Sequence, residues 1–157
     1  MPTVLKFRLR TISDKTPLGS LVLDMYQRSL GESLTADARV SFACSDGSNS
    51  DFYNVKIDTG AYMTLLPQRA FGELKPEKFV RYSLFGVKTI PECAVECAIA
   101  PLRLRIMDSW GNISPELPIW AAISLGDDIP SLLGMKGVLD QYDHNWKVSA
   151  KLLEITF

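Results

Sequence analysis

Lys56-Ile57-Asp58-Thr59-Gly60-Ala61-Tyr62-Met63-Thr64-Leu65-Leu66-Pro67 places one carboxylate in a short polar turn between two apolar runs, one ending at Ile57 and the other beginning at Thr64. An ordinary core has no use for a charge there, because a buried carboxylate with nothing to pair with is costly. The turn must solvate Asp58 or use it. Gly60 allows a sharp bend and a close approach of neighbouring backbone, Thr59 supplies a hydroxyl able to bond across to a second copy of the loop, and Ala61 keeps the far side small. These residues suit one half of a carboxylate pair.

Asp58-Thr59-Gly60-Ala61, with an apolar strand before it and Thr64-Leu65-Leu66-Pro67 after it, resembles the active-site signature of the retropepsin-like aspartic proteases. Ser131-Leu132-Leu133-Gly134 resembles the apolar-apolar-Gly element that in this family packs beneath the catalytic loop and leads into one well-formed helix. The resemblance implies a mainly β, single-lobe acid-protease fold, a closed β-barrel with one or two short helices. It also implies Asp58 as the catalytic residue, Thr59, Gly60 and Ala61 as its loop, and Leu132, Leu133 and Gly134 as the support. Retroviral members carry an acidic residue after this tetrapeptide and an Arg after the second element; here Tyr62 and Met135 stand in those places. Loss of both partners is self-consistent, since loss of one alone would strand a charge, and it points to a non-viral member.

Proteolysis of this kind needs one carboxylate to take a proton from water while a second, protonated, donates to the scissile carbonyl. Two carboxylates about 3 Å apart repel by roughly 5 kcal/mol at an effective dielectric of ~20, so they share one proton. No second Asp-Thr-Gly or Asp-Ser-Gly exists: Asp108-Ser109 is followed by Trp110, and Asp46-Gly47-Ser48 has the wrong order. The missing carboxylate is expected from another copy of Asp58 across a two-fold axis, giving an isologous homodimer. The first and last strands, both with apolar faces, are candidates for its interface. Ala61, where pepsin-like enzymes carry Ser, removes one hydrogen bond to the charged form, so activity is expected at mildly acidic to neutral pH. The competing reading is a retropepsin-like peptide-binding or dimerisation module with little or no hydrolysis.

Composition fits one lobe. The 157 residues, 46% hydrophobic and 22% charged, suffice for one soluble domain spanning residues 1–157 with its own core. A net charge of -1 and the absence of a basic tail argue against a nucleic-acid partner. No apolar run approaches the ~20 residues of a membrane span. Met1 to Lys6 lacks a signal-peptide core, and Cys44, Cys93 and Cys97 are odd in number, so reduced thiols in a cytoplasmic protein are expected. Cys93 and Cys97 with the distant His144 make no metal site, and no cofactor is expected; the partner is a peptide or protein substrate.

Periodicity supplies the rest. Leu5, Phe7 and Leu9 alternate with Lys6, Arg8 and Arg10, as in an edge strand with a solvated basic face. A turn is expected at Thr16–Gly19 and a strand at the start of Leu21–Leu30. Arg39–Cys44 and Phe52–Ile57 read as a hairpin that delivers Asp58. Pro67 suits the first turn of a short helix that Gly72 ends. Arg81–Phe85 and Cys93–Ile99 read as a second hairpin whose tip, Phe85, Gly86, Val87 and Lys88, is the flap in the resembled family. Separate strands are expected at Leu102–Ile106 and Ile119–Ile123, a helix at Met135–Tyr142, and a final strand through Leu153, Ile155 and Phe157.

Overall fold

The computed structural model describes residues 1–11, 34–85, 94–126 and 129–157. The turn at Thr16–Gly19 and the strand within Leu21–Leu30 lie outside them, as do Gly86, Val87, Lys88 and Cys93. Ten strands are joined in one sheet: β1 (Val4–Thr11), β2 (Leu34–Phe42), β3 (Tyr53–Ile57), β4 (Thr64–Leu66), β5 (Val80–Leu84), β6 (Val95–Met107), β7 (Leu117–Ser124), β8 (Leu132–Leu133), β9 (Asp143–Lys147) and β10 (Leu152–Thr156). Their order is β5-β6-β7-β4-β8-β3-β2-β1-β10-β9, and an added β2–β6 pairing closes the six strands from β6 to β2 into a ring. The fold is mainly β, as expected, and its main core joins side chains of the ring to those of β1 and β10.

The hairpin that delivers Asp58 forms as read. β2 and β3 run antiparallel from Val40 opposite Tyr53 to Ala36 opposite Ile57. Val55 and Ile57 point into the core while Asn54 and Lys56 face solvent, so the next residue is carried out of the barrel wall. β8 then pairs parallel with β3 on one side and antiparallel with β4 on the other. The two strands flanking the acid turn are thereby held apart by a third, supplied from far along the chain.

Several expectations give way to tertiary packing. β1 is not an edge strand: it pairs with β2 at one end and with β10 along Val4–Arg8. Its other side is covered by the turn after β6, where the Lys6 N–H donates to Asp108 Oδ2 at 3.0 Å and the Ser109 N–H to the Lys6 carbonyl at 3.1 Å. The apolar faces of the first and last strands, Leu5, Phe7, Leu153 and Ile155, are fully buried in the chain's own core. They are therefore not available as the apolar faces of a dimer interface.

β6 is one strand through Pro101, where two were expected. The Leu125 N–H bonds the Glu96 carbonyl, so the even-numbered residues of β6 bond toward β7 and the odd ones away from it. On that far side β5 stops opposite Ile99 and β2 starts opposite Leu104, so the N–H that Pro101 lacks falls in a gap. Helix α1 (Gln68–Leu74) starts after Pro67, as read, but runs through the exposed Gly72 and ends at Lys75, whose φ of 44° is left-handed. Glu73 ties α1 to β3 by accepting from the Tyr53 hydroxyl. The helix expected at Met135–Tyr142 is instead one wide turn over Met135–Leu139, closed by the Asp140 N–H on the Met135 carbonyl at 3.0 Å. Lys136 is extended and Gly137 has φ of 82°, because the chain must fold tightly against β7; a Cβ on Gly137 would lie 3.2 Å from the Pro118 carbonyl oxygen.

Candidate active site

Asp58 leaves β3 half-buried, followed by exposed Thr59 and Gly60. Three hydrogen bonds shape the turn: the Asp58 N–H donates to the Leu133 carbonyl at 3.0 Å, the Gly60 N–H to Asp58 Oδ1 at 2.8 Å, and the Ala61 N–H to the Asp58 carbonyl at 3.2 Å. The second of these, a side chain gripping its own backbone two residues on, is what a short acid in a turn does best. It orients the carboxylate by one oxygen. No group among the described residues donates to Oδ2. A Cβ on Gly60 would lie 3.2 Å from Asp58 Oδ1, so the residue that grips the acid must be small.

The loop is held from below by the Leu132-Leu133-Gly134 segment. The Met135 and Lys136 N–H groups donate to the Ala61 and Tyr62 carbonyls at 2.9 and 2.8 Å. Gly134 sits against the loop so closely that a Cβ there would lie 2.4 Å from the Met63 carbonyl carbon and oxygen and 2.9 Å from the Ala61 oxygen. Its backbone is extended, so space and not conformation demands glycine. The Gly134 N–H donates to the hydroxyl of the fully buried Thr64 at 3.3 Å. The sequence reading takes Thr64 only as the start of the apolar run after the turn. Its signal was there, a hydroxyl heading an apolar run at a strand position that faces inward, where a polar atom must find a partner.

Asp58 opens onto a cavity of about 320 Å³ walled by apolar side chains from three regions: Met63 and Leu65 after the turn, Leu84 and Phe85 at the end of β5, and Pro130 and Leu132 before the supporting glycine. Leu65 belongs to a small second core with Val95, Cys97, Ala122 and Ile129, and Met63, Leu84 and Leu132 pack against that core. The structure thus brings Asp58, Gly60, Ala61, Leu132 and Phe85 to one cavity and puts Leu133 and Gly134 behind it. Tyr62 lines the same cavity and is largely exposed. A larger hollow of about 560 Å³, between Leu74, Pro101 and Trp120, does not include Asp58, and the chemistry decides for the smaller one.

No other acid in the described chain is placed like Asp58. Asp108 is buried, but its two oxygens accept from the Lys6, Trp110 and Asn112 N–H groups and from the Asn112 side-chain amide, all within 2.8–3.0 Å. Burial pushes its carboxyl up, but the Asn112 amide and the three N–H groups outweigh that and hold it below the ordinary value of 3.8. It is a structural anion. Among the described residues, Asp58 is the one acid that lines the smaller cavity.

No family model and no curated protein matches the sequence. Among solved structures, the chain is similar to a retropepsin-like aspartic protease from Rickettsia conorii at 14% identity and a TM-score of 0.48, covering 100% of this chain and 96% of that one. It is also similar to EIAV protease complexed with the inhibitor HBY-793, at 18% identity and a TM-score of 0.37, covering 62% of this chain and 79% of that one. With its acid turn between β3 and β4, and β8 threaded between those two strands to support the turn, the chain is retropepsin-like in fold.

Proposed function

We propose that this chain is an aspartic endopeptidase whose site is completed by a second copy of itself. The observation that carries the reading is Asp58, which accepts from the Gly60 N–H through Oδ1 and lines a cavity walled largely by apolar side chains. Two such carboxylates brought within about 3 Å share one proton, so one serves as base and the other as acid. The ionised carboxylate takes a proton from water as the water oxygen attacks the scissile carbon, and the protonated one donates to the carbonyl oxygen. Collapse of the tetrahedral species releases the amine with a proton from the pair. Thr59, exposed beside Asp58, braces one loop against the other, and Gly60 leaves room for the peptide. Apolar walls from Met63, Leu65 and Leu84 accept side chains beside the scissile bond. Homodimerisation and a cytoplasmic setting belong to the same proposal.

Cleavage of a mixed peptide library between pH 4 and 7, with Asp58→Asn as control, tests it. Loss of a base that contributes 10²–10⁴-fold should reduce cleavage by at least about a hundredfold while the fold survives. Wild-type protein that binds peptides and cleaves none would leave the binding module; equal cleavage by Asp58→Asn would remove Asp58 from the chemistry.

A further inference from the structure

The hollow of about 560 Å³ between Leu74, Pro101 and Trp120 is of the size that holds a ligand, and its place in the sheet relates it to Asp58. Residues opposite one another on neighbouring strands point to the same side, as do alternate residues along one strand. Val80, Tyr82 and Leu84 of β5 lie opposite Ile99, Cys97 and Val95 of β6, and Ile99 and Pro101 lie opposite Ala122 and Trp120 of β7. One face of the sheet therefore carries the second core, with Val95, Cys97 and Ala122, and continues through Ile99 and Val80 to Pro101 and Trp120. Leu84, which walls the Asp58 cavity, packs at one end of this track; the hollow opens at the other. Val80, Tyr82 and Trp120 along it are 67%, 56% and 50% exposed, large apolar side chains left uncovered in one run.

The chemistry of the hollow narrows its occupant. Pro76, Pro101, Pro118 and Trp120 give it rigid apolar walls, and the charged residues that line it are Lys75, Lys78, Arg103 and Glu77. Three cations to one anion make a local positive excess in a chain whose net charge is -1. Lys78 has no ion pair among the described residues, and Lys75 meets Asp46 only at longer range. Arg103 is held by Glu116 at 3.0 Å, but Arg105 draws on the same carboxylate at 3.7 Å, so that cluster also stays positive. The Arg103 carbonyl, on the side of β6 away from β7, accepts from the Ala43 N–H at 2.9 Å. Two residues earlier the Pro101 carbonyl faces the same way, into the gap between β5 and β2. A carbonyl there suits a backbone amide and repels an oxyanion, so a peptide fits where a free phosphate does not.

We infer that the hollow is an exosite for the polypeptide cleaved at Asp58, and that it takes an acidic segment bearing an aromatic residue; the inference rests on the proposed hydrolase reading. From Val95 to Pro101 β6 spans roughly 20 Å at ~3.4 Å per residue, so an extended peptide reaches the hollow about six residues from the scissile bond. Val80 and Tyr82 carry the chain between the two places. The aromatic side chain stacks on Trp120, its carboxylates meet Lys75 and Lys78, and one of its amides donates to the Pro101 carbonyl. Negative charge is thus selected at a distance from the cut, while the apolar walls of the Asp58 cavity choose the residues beside it.

Calorimetry on the full chain tests the site. The probe is a synthetic peptide of alternating glutamate and phenylalanine, and the control carries lysine for each glutamate. The acidic probe should bind, more weakly as salt rises, and the basic control should not. Lys75→Glu with Lys78→Glu should raise the dissociation constant about tenfold, two exposed charge pairs being reversed, and Trp120→Ala should raise it about tenfold as well. Circular dichroism checks that each variant folds; should Trp120→Ala not fold, the charge reversal decides. Equal binding of both peptides, or binding indifferent to these changes, overturns the site. Cleavage is read separately, on a peptide library with and without the acidic extension placed about six residues from its random segment. The extension should lower KM severalfold at constant kcat, and the gain should vanish in Lys75→Glu with Lys78→Glu. A library cleaved equally well with and without the extension overturns the exosite even where the probe binds. A chain that binds the probe through Lys75, Lys78 and Trp120 and cleaves neither library keeps the site and sinks the hydrolase reading instead.

Discussion

At the scale of single residues, the site depends on what two glycines leave out. Gly60 must stay small because Asp58 Oδ1 is gripped by its N–H; Gly134 must stay small because the carbonyl of Met63 occupies the place of its Cβ. Gly134→Ala is therefore expected to force the loop away from its support. Overpacking of this kind costs about 1–3 kcal/mol, read as a fall of several degrees in Tm. If the site works as proposed, cleavage should fall further than stability, because Met135 and Lys136 hold the Ala61 and Tyr62 carbonyls through the displaced segment. A Gly134→Ala protein with unchanged Tm and unchanged cleavage would show that Gly134 does not set the loop. The acid and its glycine were legible as a polar turn in an apolar setting, and Leu132-Leu133-Gly134 was legible only through its resemblance to the supporting element of the retropepsin-like proteases. Thr64 was not, since only the threading of β8 reveals what its hydroxyl bonds.

At the scale of elements, local pattern was overruled wherever a neighbour supplied what the segment lacked. Met135, Val138, Leu139 and Tyr142 recur at helical spacing, yet Gly137 turns left-handed against β7 and no helix forms. Pro101 reads as a strand breaker and is harmless in a gap between β5 and β2. The turn after β6 is the converse, since in the sequence Asp108-Ser109 stands out only as a failed match to Asp-Ser-Gly. Its Asp108 covers the open edge of β1 and accepts four hydrogen bonds. Asp108→Asn, which turns one acceptor into a donor, should cost about 1–3 kcal/mol at neutral pH. The sign with pH follows from the depressed carboxyl: its contribution is complete above the ordinary value of 3.8 and is lost as pH falls through the lower folded value. Urea midpoints of wild type and variant should differ at pH 7 and converge near pH 2. A gap that stays constant down to that pH would mean Asp108 is not ionised in the folded chain.

At the scale of the whole molecule, the ends of the described chain are where sequence and structure part most. Two apolar-faced strands at the extremities suggest surfaces kept for a partner, but β1 and β10 find each other first, and their faces close the chain's own core. The distinction is measurable, because a residue buried in its own chain stabilises independently of protein concentration, while one buried only in a dimer does not. Leu153 is fully buried, so Leu153→Ala should lower the unfolding free energy by about 2–5 kcal/mol, a large share of a total of roughly 5–15 kcal/mol. That loss should be the same at micromolar and at tenfold higher concentration. A Leu153→Ala deficit that shrinks as protein is added would return the last strand to the interface.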